Sequence, residues 1–171
     1  MEQSTEKTYI QKLTAGNKSD LLLTIQELRL TGNERILPYI LALLAKNDAE
    51  INTAVFDFIK DLKNQMAVLP LMEYFKSNTN KQYVFLLLDA FWQSNLKFEA
   101  YLTDFVNMFI QYDFSIAFEA FTIIENFQEI VAKEQIISSI ALLQANIPGF
   151  DADKANIAGI LMAVIQNLRT E

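Results

Sequence analysis

Two pairs of carboxylates at helical spacing are the side chains in this sequence best suited to chemistry. Asp57 and Asp61 are four residues apart, and so are Glu125 and Glu129, so each pair would project from one face of a helix. Such a pair could act as acid and base, or supply oxygen ligands to a divalent metal. Solvated helix faces carry the same spacing, and we interpret both pairs as structural.

The residue types that most other catalytic sites need are missing. The 171 residues include no histidine and no cysteine, which excludes Ser-His and Cys-His nucleophile systems, imidazole catalysis and most zinc sites. The run DADKAN at 151–156 begins like a calcium loop, but Asn156 and Met162 stand where such loops need glycine and glutamate. No glycine-rich phosphate-binding motif occurs. The sequence therefore predicts no catalytic residue, no metal and no cofactor, and assigns Asp151 and Asp153 to capping the last helix.

Charge and hydropathy limit the classes of partner. The net charge of −7 disfavours nucleic acid and anionic membrane surfaces, which attract basic proteins. The longest apolar runs, at 36–45 and 157–165, are shorter than the roughly 20 residues that span a bilayer. The first residues, MEQSTEKTYI, show no signal-peptide pattern, and the lack of cysteine fits a reducing compartment. We expect a cytoplasmic protein that binds neither nucleic acid nor membrane.

Helical periodicity extends through almost the whole chain. An i, i+1, i+4, i+7 apolar pattern begins at Ile36 and recurs from Val68, Tyr101 and Ile136, which is every 32 to 35 residues. The inward residues that it predicts are Ile36, Leu37, Ile40, Leu43, Val68, Leu69, Met72, Phe75, Tyr101, Leu102, Phe105, Met108, Ile136, Ile137, Ile140 and Leu143. A second series alternates with it, and a repeated helix pair of this length is the signature of a stacked solenoid.

The predicted fold class is all-α. We expect an α-α superhelix, a right-handed solenoid of stacked antiparallel helix pairs with about ten helices, in one domain over residues 1–171. Residues 1–18 would hold an N-terminal capping helix, residues 19–145 four helix pairs, and residues 146–171 a C-terminal capping helix. The inward residues of that last helix are predicted as Ile157, Ile160, Leu161 and Val164.

Two stretches resemble a known repeat family. NDAEINTAVFDFI, at 47–59, resembles the start of the first helix of a HEAT or armadillo-like repeat, in which an Asp-rich turn precedes a β-branched residue and an alanine. MAVLPLMEYF, at 66–75, resembles the start of a second helix, in which a proline follows the first apolar pair. Asn52 stands where HEAT repeats often carry arginine, and Thr103 and Ser138 stand where later units would have the proline.

This resemblance, which covers residues 19–145, implies a concave surface lined by the second helix of each pair. Side chains of those helices that point away from the core are then the candidates for partner binding. They are Glu34, Tyr39, Glu73, Tyr74, Glu99, Thr103, Asp104, Asn107 and Ser138. Each alone is an ordinary solvated side chain, and only their shared column makes them candidates.

Residues 80–131 differ from the rest of the chain in composition. They hold 13 of its 20 aromatic residues, and seven acidic residues against two lysines. An acidic groove with aromatic rings could accept a basic amphipathic helix or peptide. A phenylalanine-rich core under an acidic surface would have the same composition, because Phe91, Phe105 and Phe121 fall at inward positions. Phe85 and Trp92 fit the core less well, so their exposure is informative.

Three functions fit these observations. The first is a non-enzymatic scaffold or adaptor, a monomer or weak homo-oligomer, whose concave face binds a protein or peptide, with a basic partner favoured by the acidic middle of the chain. The second is a structural subunit that self-associates through apolar helix faces. The third is a carboxylate-based enzyme, which requires two acids converging in a closed pocket with at least one raised pKa. We predict the first.

Overall fold

The computed structural model of the protein describes residues 2–31, 34–78 and 80–170, and within them it is all-helical and contains no strand, as predicted. The α-helices of these residues are α1 (Glu2–Ala15), α2 (Lys18–Thr31), α3 (Leu37–Ala42), α4 (Ala49–Lys60), α5 (Val68–Ser77), α6 (Lys81–Gln93), α7 (Leu102–Gln111), α8 (Phe114–Glu125), α9 (Lys133–Asn146) and α10 (Ala152–Gln166). Short 3₁₀ turns adjoin several of them, at Glu34–Ile36, Leu43–Lys46, Gln65–Ala67, Glu99–Tyr101 and Ile147–Gly149. In the described part of the chain, no helix has both the length and the apolar character that crossing a membrane requires.

Polar caps fix where several helices begin. Asp48 precedes α4 and accepts hydrogen bonds from two backbone N–H groups of the first turn, at 3.0 and 3.3 Å. Asn80 caps α6, Asp113 caps α8 and Asp151 caps α10 in the same manner. Each cap satisfies amide groups that have no acceptor inside the helix. The assignment of Asp151 as a cap is therefore confirmed.

Two prolines lie in the first turns of helices. Pro38 is the second residue of α3, and Pro70 is the third residue of α5. A proline loses no hydrogen bond in a first turn, because the amide groups there have no intrahelical partner, and its fixed φ suits a helix. Both prolines therefore mark starts of helices and do not interrupt them.

Helix packing divides the chain into two compact units, the N-terminal unit Met1–Leu96 and the C-terminal unit Lys97–Glu171. In the N-terminal unit, α2 packs against α4 and α4 against α6, while α1 packs against α3 and α3 against α5. Contacts between every second helix are those expected when helix pairs stack on one another. That residues 1–171 form a single domain stays a prediction, which the division into two units does not test.

The C-terminal unit packs four helices around an aromatic core. α7 and α10 each contact both α8 and α9. The ring centroid of Phe105 lies 6.0 Å from that of Phe98 and 6.3 Å from that of Phe127, and the Phe109 and Phe150 centroids are 6.0 Å apart. These are edge-to-face contacts, the arrangement that the ring quadrupole favours. The predicted inward position of Phe105 is confirmed, since the residue is fully buried.

The inward prediction is confirmed for all four residues of the first set, Ile36, Leu37, Ile40 and Leu43, which are buried. Across all the second helices, the inward residues follow a spacing that differs from the predicted one. They recur at i, i+3, i+4 and i+7, as Leu37, Ile40, Leu41, Leu44, then Val68, Leu71, Met72, Phe75, then Leu102, Phe105, Val106, Phe109, then Ile136, Ser139, Ile140, Leu143. The inward predictions for Leu69 and Ile137 are wrong, because these residues are 58% and 60% exposed. Adjacent residues point about 100° apart on a helix, so the second residue of an apolar pair falls beside the buried stripe. The buried position three residues after the start of the stripe is occupied by Leu71 on α5 and by a polar residue, Ser139, on α9.

The closing helix α10 buries Leu161, as predicted, but not Ile160. Ala158, Leu161 and Ile165 are fully buried, and Lys154 on the same side is only 8% exposed. Ile160, predicted inward, is 56% exposed, so that prediction is wrong. The helix is apolar on most of its circumference, and contacts with α8 and α9, which the sequence does not display, select the buried side.

Ion pairs link successive first helices in the N-terminal unit. Lys18 Nζ, at the start of α2, lies 2.8 Å from Asp48 Oδ2 at the start of α4. Lys60 Nζ, at the end of α4, lies 3.0 Å from Asp89 Oδ2 on α6. The hydrogen bond between the first pair holds the pKa of Asp48 below its usual value and the pKa of Lys18 above its usual value. These pairs join α2, α4 and α6 into one row.

A tyrosine hydroxyl organises the turn that precedes α4. The Tyr83 hydroxyl of α6 lies 2.9 Å from the Leu44 carbonyl and 2.6 Å from Asn47 Oδ1, and it accepts a hydrogen bond from Asn52 Nδ2 at 3.3 Å. Asn47 adopts a left-handed φ of 52°, which asparagine tolerates better than most residues. Asn52, at the position where HEAT repeats often carry arginine, therefore takes part in holding α6 against α4.

Candidate functional site

The two carboxylate pairs that first suggested chemistry are engaged in ion pairs. Arg29 of α2 lies between the first pair, with Nε 2.6 Å from Asp61 Oδ2 and Nη1 3.6 Å from Asp57 Oδ2. In the second pair, Glu129 bonds to the Lys97 ammonium, and that hydrogen bond holds the pKa of Glu129 below its usual value. A carboxyl used as a general acid needs the opposite shift. Among the described residues, no group of three carboxylates is arranged to hold a metal ion.

The run DADKAN contributes a buried lysine instead of ion ligands. Lys154 Nζ donates to the carbonyl oxygens of Ile110 and Tyr112, at 3.0 and 2.6 Å, where α7 ends. It also lies 4.7 Å from the centroid of the Phe150 ring, a cation–π distance. Burial lowers the pKa of Lys154, and the nearby Asp151 opposes that effect. The ammonium thus supplies donors to carbonyls that a helix C-terminus leaves unsatisfied.

The predicted binding column is open to solvent on α3 and α5 of the N-terminal unit. Tyr39 is 39% exposed on α3, and Glu73 is exposed on α5, which packs against α3. Tyr74 is half-buried, and its burial raises the pKa of the phenol. The side chain of Glu34 lies outside the described residues. The structure therefore places three of these four candidates on neighbouring helices at the surface.

In the C-terminal unit the predicted column lies on α7 and α9. Thr103, Asp104 and Asn107 are half-buried on α7, and Ser138 is exposed on α9, which packs against α7. They form a polar surface, named the α7–α9 face.

Glu99 does not belong to the predicted binding column. Its side chain is 7% exposed, and its Oε1 accepts hydrogen bonds from the backbone N–H groups of Gln128 and Glu129, at 3.1 and 3.0 Å. The carboxylate satisfies the turn between α8 and α9, since amide groups at such a buried turn need an acceptor. The expectation that Glu99 points away from the core is therefore wrong.

Sequence reasoning missed an exposed aromatic pair on α8. Phe114 and Phe118 are 43% and 45% exposed, and their rings stack with centroids 6.1 Å apart at an interplanar angle of 14°. Of the two aromatics singled out from the sequence, Trp92 is 41% exposed and Phe85 is half-buried. The available signal was the i, i+4 spacing of Phe114 and Phe118, but α8 is apolar around most of its circumference, which hides the outward pair.

Two grooves lie between helices, one in each unit. One of about 520 Å³ runs between α2 and α4, with Leu22, Ala54 and Thr53 in its wall and Arg29 at its side. Another of about 400 Å³ lies between the end of α8 and the last turns of α10. Grooves of this size between helices are suited to apolar side chains of a partner.

Comparisons with protein-family models, with curated proteins and with solved structures give no significant match to this chain. The resemblance to HEAT or armadillo-like repeats stays a prediction from the sequence, and the arguments for function rest on the surfaces just described.

Proposed function

We propose that this chain is a non-enzymatic scaffold or adaptor that binds a basic protein or peptide partner. The observation that carries the proposal is the charge of the C-terminal unit, in which four basic residues stand against ten acidic ones. Of these basic residues, Lys154 donates hydrogen bonds to backbone carbonyl oxygens, and Lys97 forms an ion pair with Glu129. The remaining acidic excess attracts basic partners and repels acidic ones.

The architecture proposed for this role is a right-handed, HEAT-like stack of antiparallel helix pairs in a cytoplasmic protein. Packing between alternate helices within each unit supports it. So does the recurrence of the buried stripe, which begins at 37, 68, 102 and 136, with steps of 31, 34 and 34 residues. In such a stack the second helices would line the concave surface, which in the C-terminal unit is the α7–α9 face.

The test measures binding of the full-length protein to three fluorescent synthetic peptides at physiological salt. The first is an amphipathic helix of about 18 residues, or five turns, with leucines on one face and lysine or arginine on the other. The second contains the same residues in scrambled order, and the third has glutamate in place of every basic residue. We expect the first peptide to bind, to bind more weakly as salt rises, and the acidic peptide not to bind.

Charge variants then locate the partner. Asn107→Arg with Ser138→Arg adds two positive charges to the α7–α9 face, while Asn156→Arg with Gln166→Arg adds two exposed charges to α10. A larger loss of binding in the first double variant would place the partner on the α7–α9 face. Failure of the unaltered protein to bind any basic peptide would end the proposal.

Self-association is the second candidate, and exposed leucines on α2 favour it. Leu23 and Leu30 are 57% and 87% exposed and lie two turns apart on one helix face. Light scattering over a hundredfold concentration range tests this candidate. A dimer that Leu23→Ser with Leu30→Ser dissociates would support it, and a monomer throughout would exclude it.

A further inference from the structure

One face of α8 carries three phenylalanines and a glutamate in a single stripe. Phe114, Phe118, Phe121 and Glu125 follow the spacing i, i+4, i+7, i+11, which keeps side chains in line along a helix. The stripe spans the 12 residues of α8, and its first and last residues are about 17 Å apart at the helical rise. It is as long as three turns of a partner helix lying alongside.

The rings of this stripe form a continuous aromatic surface. Phe118 stacks on Phe114 with centroids 6.1 Å apart, and on Phe121 with centroids 6.0 Å apart. Phe121 is buried beneath, at 8% exposed, while the outer two rings are 43% and 45% exposed. The ring faces are held in place by their neighbours, so a partner that covers them orders few side chains that were mobile before.

The stripe continues into the groove between α8 and α10. Glu125, its last residue, lines that groove together with Ile160, Ala163, Val164 and Leu168. Ile160 is 56% exposed, so its apolar side chain is open to solvent in the wall of this groove. The aromatic stripe and the groove together, named the α8–α10 surface, offer apolar contacts with an acidic residue at their junction.

The charge of the C-terminal unit selects the kind of partner. With ten acidic residues against four basic ones in this unit, an acidic helix would meet repulsion and a basic one attraction. Isolated apolar surface would suit many partners, but apolar contacts flanked by carboxylates favour a segment with a leucine-rich face and basic flanks.

We propose that the α8–α10 surface binds one amphipathic helix of a partner protein, three to four turns long, whose apolar face covers Phe114, Phe118 and Ile160 and whose lysine or arginine side chains lie near Glu125. This inference rests on the proposed function and names the site and the partner class. It places the partner on α8 and α10, not on the α7–α9 face.

The test uses the same basic amphipathic peptide and fluorescence anisotropy with the full-length protein. Phe114→Ser with Phe118→Ser is expected to raise the dissociation constant at least tenfold, because both changed rings are central contacts. The matched control is Leu23→Ser with Leu30→Ser, which removes exposed apolar side chains from the N-terminal unit and is expected to leave the affinity within twofold. Circular dichroism and thermal unfolding confirm that each variant is folded.

A charge variant tests the junction of stripe and groove. Glu125→Lys is expected to weaken binding about fivefold and to flatten its dependence on salt, because it replaces attraction by repulsion at one contact. Asp20→Lys, an exposed change on α2 of the N-terminal unit and outside every surface proposed for binding, is its control and is expected to have a smaller effect.

The outcomes separate this inference from the proposed function. Binding that the phenylalanine variant retains and the Asn107→Arg with Ser138→Arg variant loses would overturn the α8–α10 site and keep the scaffold. Equal binding of the scrambled peptide would overturn recognition of an amphipathic helix. A dimer of the unaltered protein that the phenylalanine variant dissociates would identify a second copy as the occupant, against the proposal. No binding of either basic peptide would overturn both proposals.

Discussion

In the N-terminal unit ten basic residues accompany eleven acidic ones, whereas the C-terminal unit has four basic and ten acidic residues. The first unit uses these charges between helices, as Lys18 with Asp48, Arg29 with Asp61 and Lys60 with Asp89. In the second unit basic residues are too few for that use. The first unit uses its charges to join helices, whereas the acidic excess of the second is the charge that the proposed function assigns to partner binding.

The units also differ in the polar residues that are buried among their apolar side chains. Two inward positions of the C-terminal unit hold polar residues, Ser139 on α9 and Lys154 on α10. The N-terminal unit buries Thr24, but its hydroxyl donates to the Asp20 carbonyl within the same helix. Lys154 has partners on another helix, whereas the Ser139 hydroxyl has none in the described residues. Four measurements test this contrast.

Lys154→Met should have the largest effect. Methionine keeps most of the packing but leaves the Ile110 and Tyr112 carbonyls without their donor, so the free energy of unfolding should fall by about 2–3 kcal/mol after the relief of burying an ammonium is allowed for. Urea unfolding measures this. Lys133→Met, an exposed residue at the start of α9, is the control and should change stability by less than about 0.5 kcal/mol. Equal stability of the two variants would show that the hydrogen bonds of the Lys154 ammonium do not stabilise the fold.

Tyr83→Phe tests the corresponding junction of the N-terminal unit. Loss of the hydroxyl leaves the Leu44 carbonyl and Asn47 Oδ1 without that donor, and should lower the free energy of unfolding by about 1.5 kcal/mol. Tyr39→Phe, on the exposed surface of α3, serves as the control and should be nearly neutral. If both variants are neutral, the turn before α4 is held by its backbone alone.

Ser139→Ala should stabilise the protein. Its buried hydroxyl has no hydrogen-bond partner in the described residues, so alanine removes an uncompensated polar group and should raise the free energy of unfolding by about 1 kcal/mol. The neighbouring Ser138 is exposed and donates to the Gln135 carbonyl, and Ser138→Ala should be close to neutral. A loss of stability in Ser139→Ala would refute this reading of the C-terminal core.

The pH dependence of the exposed ion pairs should be the smallest effect. Because Asp48 has a lowered pKa when folded, its pairing with Lys18 stabilises the protein above the ordinary aspartate pKa of 3.8 and is lost as pH falls through the folded pKa. The raised pKa of Lys18 means that the pairing is fully present below 10.5 and lost as pH rises through the folded pKa.

Asp48→Asn keeps a cap but removes the pair, so its thermal midpoint should fall below that of the unaltered protein by less than about 3 °C near neutral pH. The two curves should converge at acid and at strongly alkaline pH. Glu129→Gln is the matching change in the C-terminal unit, since the Lys97 ammonium lowers the pKa of Glu129 in the same way. A difference that persists at acid pH would attribute the effect of Asp48 to capping instead of charge.

Local chemistry made much of the fold predictable from the sequence. Caps such as Asp48 and Asp113 and the first-turn prolines act on their own helix, so the class and the approximate positions of the helices follow from neighbouring residues. The buried register is set by packing between helices. Leu69 is as apolar as the buried Leu71, and Ile137 is more apolar than the buried Ser139, so nothing within one helix distinguishes the inward residue from the outward one.

The candidate site was predictable only in part, for a similar reason. Exposed positions such as Tyr39 and Ser138 follow from polarity, and their place on packed helices was expected. Glu99 was missed as a buried residue because the backbone N–H groups that donate to its carboxylate come from a turn about 30 residues later. The outward rings on α8 were missed because composition alone assigns phenylalanine to a core.

The single tryptophan has a spectroscopic consequence. Trp92 is the only tryptophan of the chain and lies near the end of α6, in the N-terminal unit. Its indole is partly exposed, so emission excited at the red edge of protein absorption reports on that unit, while far-ultraviolet ellipticity reports on helices of both. Superimposable denaturation curves from the two signals would mean that the units melt as one cooperative block. Separated curves would assign each step to its unit without any added label.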